Sequence, residues 1–219
     1  PVGYPMAYSM LDIVDNWNPD NTDIPAMHYD SLCHFDYKTE YKKAETYRNA
    51  EVPFIVYNHP EVDNVATNWG NIDYLNKRLG DKSYGTTLSK SNHFMYFQSR
   101  HDTSGKDEKP WEPPTTQTEK KFTQWLDVAV KGQNVDVENR KMEYFRVSSN
   151  MGNAWLSNEL PFFKKKNLLV VDPLEIRGIH CRFGMKGIIS EGHYDGSRNF
   201  VTQIAGLRRW IMTHPNQCK

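Results

Sequence analysis

A chain of 219 residues with 38% hydrophobic and 13% aromatic content holds enough apolar material for one sizeable packed domain, which excludes disorder throughout. Lys+Arg and Asp+Glu both number 27, so no global electrostatic pull toward nucleic acid exists. No apolar run reaches the length of a membrane span, no basic segment opens the chain, no Asn-x-Ser/Thr sequon occurs, and Cys33, Cys181 and Cys218 have no metal-type spacing, a set that favours a soluble or peripheral, intracellular or organellar protein over a secreted one.

Residues 1–37 carry six aspartates and no Lys or Arg. They predict an acidic extension outside the core, touching it through Trp17 and Tyr29 and suited to docking a protein partner. The domain is expected over 38–219. Residues 38–50 predict a short charged helix with Tyr41 and Ala44 on one stripe, and 52–57 a buried strand. Residues 64–79 predict one helix with Trp69 and Leu75 inward and Gly80 as its stop. Strands are expected at 86–89 and 93–97, then an exposed polar loop over 99–118. Phe122, Trp125, Leu126 and Ala129 recur at the spacing of an amphipathic helix over 119–130. Residues 141–148 read as a strand, 150–160 as irregular with a short helix, and 168–171 as a buried run. Lys164, Lys165 and Lys166 read as a solvated turn, too narrow for a nucleic-acid footprint.

The organising stretch is 187–200, which continues in a strand-like run to Trp210. His193 and Asp195 stand two apart at the end of an apolar run. In a strand such residues point to one face, so an imidazole and a carboxylate can converge on one ion. Together they supply two thirds of the facial triad that leaves sites open on non-haem Fe(II).

Around that pair, Gly184, Gly187, His193, Asp195, Asn199, Phe200, Gln203, Ile204, Gly206, Arg209 and Pro215 match a longer pattern. The segment resembles the JmjC/cupin-like 2-oxoglutarate oxygenases, especially the asparaginyl-hydroxylase branch. The order upstream is similar as well: a Pro-Val-like strand, a Trp-containing helix, the Leu79-Gly80-Asp81 turn and two strands. The resemblance implies an α+β chain, mainly β in its core, built as a cupin-type double-stranded β-helix (jelly roll) with helices packed outside. It implies an iron-dependent dioxygenase, a hydroxylase or demethylase-like oxidoreductase, with His193 and Asp195 as metal ligands at a strand end facing the barrel interior.

The same resemblance puts Tyr144, Ser190, Asn199 and Arg208 around 2-oxoglutarate. Arg208 stands where the branch has a Lys for the distal carboxylate, and is expected to point toward the His193/Asp195 cavity. The family's third ligand is a His several tens of residues beyond His-x-Asp, and His214 occupies a packing position instead. Fe(II) and 2-oxoglutarate are therefore expected as cofactors only where a third ligand is supplied. Two ligands alone should hold iron weakly. An unidentified protein partner, or strands beyond Lys219, is expected to cover the open half-barrel. The competing expectation is a non-catalytic cupin-like subunit with a structural or protein–protein interaction role.

Overall fold

The computed structural model describes residues 32–94, 114–136, 139–149, 153–175, 178–193, 195–196 and 198–212. They form a mixed α+β protein with two compact units. One draws on the described residues of Pro1–Tyr74, Ala154–Gly178 and Phe200–Lys219, the other on Leu75–Asn153 and Ile179–Asn199. Among the described residues no helix is long and apolar enough to cross a membrane.

The first unit opens with β1 (Cys33–Asp36), α1 (Tyr41–Asn49) and β2 (Phe54–Tyr57). The strands pair parallel, Cys33 opposite Phe54, and α1 supplies the crossover that parallel neighbours require. Phe35, Ala44 and Leu168 are buried together, with Tyr47, Phe54 and Val56 packed around them. The acidic extension expected over 1–37 therefore ends sooner, because Phe35 lies in this core. Trp17 and Tyr29 lie outside the described residues. The expected buried strand at 52–57 is only half-buried, since a two-stranded pair has few neighbours to cover it.

The helix expected over 64–79 is two helices, α2 (Pro60–Trp69) and α3 (Ile72–Leu79). Asn71 makes the break: its Oδ1 accepts the backbone N–H groups of Asp73 and Tyr74, at 2.9 and 3.1 Å, which caps a fresh helix start. Gly80 ends α3 at φ +55°, the left-handed conformation that glycine adopts without a Cβ clash.

The buried run at 168–171 forms no strand. Asn167 folds it into a turn, its Oδ1 accepting from the backbone of Leu169 and Val170, while Arg48 donates to the carbonyls of Asn167 and Leu168. Residues 198–212, expected to run as a strand to Trp210, are also irregular. A strand must satisfy its backbone on a neighbour, and here Gly206, at φ +74°, turns the chain instead.

The second unit is built on an antiparallel sheet in the order β5–β3–β6–β7. Its strands are β3 (Ser83–Ser89), β5 (Thr115–Lys121), β6 (Met142–Ser148) and β7 (His180–Gly184). The strand β5 covers residues expected as loop and helix start. Its threonines favour extended backbone, and as an edge strand it needs no apolar run. Helix α4 (Phe122–Gly132) follows directly.

Side chains directly opposite in a sheet share a face. Phe145 lies opposite Thr86 and Phe183. On that face the Phe145 ring meets Phe122, Trp125, Tyr84 and Phe183 at centroid separations between 5.6 and 5.8 Å. Tyr144 lies on the other face, 1% exposed. Its ring meets Phe94, 5.8 Å away, from a small parallel pair formed by β4 (His93–Phe94) and β8 (Ile189–Ser190). The short helix α5 (Trp155–Glu159) belongs to the first unit.

Candidate metal centre

The strand β8 delivers the His-x-Asp segment. Ile189 N–H donates to Asn92 O at 2.9 Å, and Glu191 N–H to Phe94 O at 3.3 Å. Regular pairing stops at Ser190, so His193 and Asp195 sit beyond the strand rather than at its end. Their side chains are 36% and 55% exposed. The expected inward-facing position is thus corrected: both side chains are open to solvent, and no second layer of strands encloses the pair among the described residues.

The side chains nevertheless meet. His193 Nε2 lies 3.6 Å from Asp195 Oδ1. His193 Nδ1 lies 2.6 Å from the Glu191 carbonyl, which can only accept, so Nδ1 carries the proton. In the neutral ring Nε2 then presents its lone pair. Asn199 Nδ2 donates to Asp195 Oδ2, leaving Oδ1 for the imidazole side. Each donor atom is thus aimed by a bond on its far side, as metal-bound histidines and carboxylates are.

The separation suits one ion. Two bonds of about 2.1 Å span ~3.0 Å at a right angle and ~3.4 Å at a tetrahedral one. Closing from 3.6 Å is a small movement for two exposed side chains. Among the described residues no three His, Cys, Asp or Glu side chains converge as a metal-holding group. His214 lies outside the described residues.

The remaining expected site residues divide. Ser190 is opposite Phe94 in register and so shares the side of the small pair whose Phe94 ring meets Tyr144. Asn199 is engaged with Asp195, as above. Arg208 belongs to the first unit, where its guanidinium carbon lies 5.7 Å from the centroid of Trp210.

Cys181, half-buried on β7, has its thiol pushed up to about 12 by burial, which leaves little reactive thiolate at neutral pH. Two residues escaped the sequence reading. Glu191 continues the period of two, Glu191-x-His193-x-Asp195, and was visible there. His93, whose Nδ1 meets the Glu191 carboxylate, is far away in the chain and carried no local signal. No protein-family model matches the chain.

Proposed function

We propose that this chain is part of a JmjC/cupin-like Fe(II)/2-oxoglutarate oxygenase with a jelly-roll core, of hydroxylase or demethylase-like type. The observation that carries the reading is the oriented pair: His193 Nε2 and Asp195 Oδ1 3.6 Å apart, with Glu191 and Asn199 bonding their outer atoms. Such a pair offers one neutral nitrogen and one anionic oxygen to a divalent ion and leaves other positions open.

Bound iron with 2-oxoglutarate and O2 would supply the oxidising power that removes hydrogen from an unreactive C–H bond of the substrate. The residues of this chain do the rest. His193 and Asp195 would hold the ion, and Asn199, bonded to Asp195 Oδ2, keeps Oδ1 turned toward His193. Tyr144 and Ser190, linked through Phe94, are proposed to donate hydrogen bonds to the cosubstrate.

The reading is tested by titrating 2-oxoglutarate anaerobically into the Fe(II)-supplied protein and following visible charge-transfer absorption. Absorption that requires both components and disappears in Asp195→Ala supports the oxygenase. The exposure of both ligands to solvent favours a second reading, a non-catalytic cupin-like interaction subunit. No absorption at any 2-oxoglutarate concentration, at Fe(II) levels that saturate the pair, would decide for that one.

A further inference from the structure

The segment 89–94 grips the ligand-bearing segment at every step. Asn92 Nδ2 donates to Gly187 O at 3.2 Å, Asn92 O accepts from Ile189 N–H, and Phe94 O accepts from Glu191 N–H. Ser89 Oγ fixes this template from behind by donating to His93 O at 2.9 Å. His93 lies opposite Ile189, and Glu191, two residues on, falls on the same side. There the His93 ring meets the Glu191 carboxylate. Glu191 therefore has two ends engaged: its side chain by His93 and its carbonyl by His193 Nδ1.

We propose that His93 is a positioning residue for the metal pair, acting through Glu191 to hold the His193 ring with Nε2 facing Asp195. The inference rests on the oxygenase reading only for the identity of the ion, since the hydrogen-bonded chain from His93 through Glu191 to His193 exists without one. Stability alone does not explain the His93–Glu191 contact. The two side chains are 49% and 39% exposed, and ion pairs so open to water contribute little. Position is another matter. Beyond Glu191, whose N–H still bonds Phe94 O, no strand pairing continues among the described residues, and the Glu191 carbonyl is the atom that selects the His193 tautomer. Freeing the Glu191 side chain lets residue 191 rotate, and the carbonyl moves with it.

The test uses the full 219-residue chain as wild type, His93→Ala, His93→Gln and Glu191→Gln. Two quantities are read: the His193 tautomer from its ring 15N shifts without metal, and Mn(II) affinity. In His93→Ala the Nδ1–H form of His193 should give way to a mixture, and Mn(II) affinity should fall about tenfold, the low end for losing an outer partner of a ligand. His93→Gln, which can still donate to the carboxylate, should restore most of both. Glu191→Gln should behave like wild type in the tautomer, because its backbone carbonyl and a side-chain acceptor remain.

A His193 tautomer unchanged in His93→Ala overturns the proposal, whatever the metal does. Failure of the wild type to bind Mn(II) would count against the oxygenase reading, while the tautomer measurement would still decide for or against His93. A loss of tautomer order accompanied by a large fall in melting temperature, and not restored in His93→Gln, would also overturn it by showing general damage.

Discussion

His59 makes the stability of the first unit depend on pH in a definite direction. It precedes α2, is 6% exposed, and lies between the rings of Tyr37 and Phe162, at 4.3 and 4.8 Å. Among the described residues neither ring nitrogen has a hydrogen-bond partner. Burial is the largest influence and holds its pKa below the usual 6.5, while Glu61, its own backbone and Asp63 pull the other way. A depressed histidine is neutral in both states at high pH and protonated first in the unfolded chain as pH falls. The unfolded state then binds more protons, and stability decreases with acidification.

The ceiling of the effect follows from excluding one proton altogether. Between about pH 7.5 and about pH 5.5 that integral is ~1.4 kcal/mol. Urea unfolding of the wild type and His59→Leu at both values isolates the residue, since the acid response of every other group cancels in the difference. The wild type should lose up to about 1.4 kcal/mol more than the variant on acidification. Equal losses in the two proteins, or a larger loss in His59→Leu, would refute the reasoning.

Other consequences can be checked alongside. Glu159 accepts from Trp69 Nε1 at 2.6 Å and from the Tyr74 hydroxyl. Glu159→Ala should destabilise by about 3 kcal/mol, two charge-assisted bonds at the low end of their range, and a loss under about 1 kcal/mol would mean that water replaces the carboxylate. Cys181, with its thiol pushed up to about 12 by burial, should resist alkylation near pH 8 in the native protein and react on unfolding; rapid native labelling located there by mass spectrometry would contradict the burial. Asn199→Ala frees Asp195 Oδ2 and should weaken Mn(II) binding about tenfold with little change in melting temperature, whereas unaltered affinity would remove Asn199 from the site.

What the sequence made legible is what local pattern controls. The apolar spacing from Phe122 to Ala129 foretold the body of α4, and the apolar run around Tyr144 foretold β6. The short separation of His193 and Asp195 foretold that they could meet, and they do. Features set by a single polar side chain were harder to see. Asn71 splits one expected helix in two and Asn167 bends an apolar run away from strand geometry, because each offers the backbone a nearby acceptor in place of a regular partner. The strand β5 was hidden by its composition, since an edge strand is free to be polar. His93 was invisible for a different reason: only the parallel pairing of β4 with β8 brings it to Glu191, and no local pattern encodes a contact so distant in the chain.

The central claim is that His193 and Asp195 act together on one divalent ion. Anaerobic titration of Fe(II) into the wild type and His193→Ala tests it most directly. Weak but saturable binding at one site, abolished in His193→Ala and in Asp195→Ala, is the result expected of two oriented ligands. Isotherms that coincide for the wild type and both variants would show that the pair holds no metal, and would contradict the account.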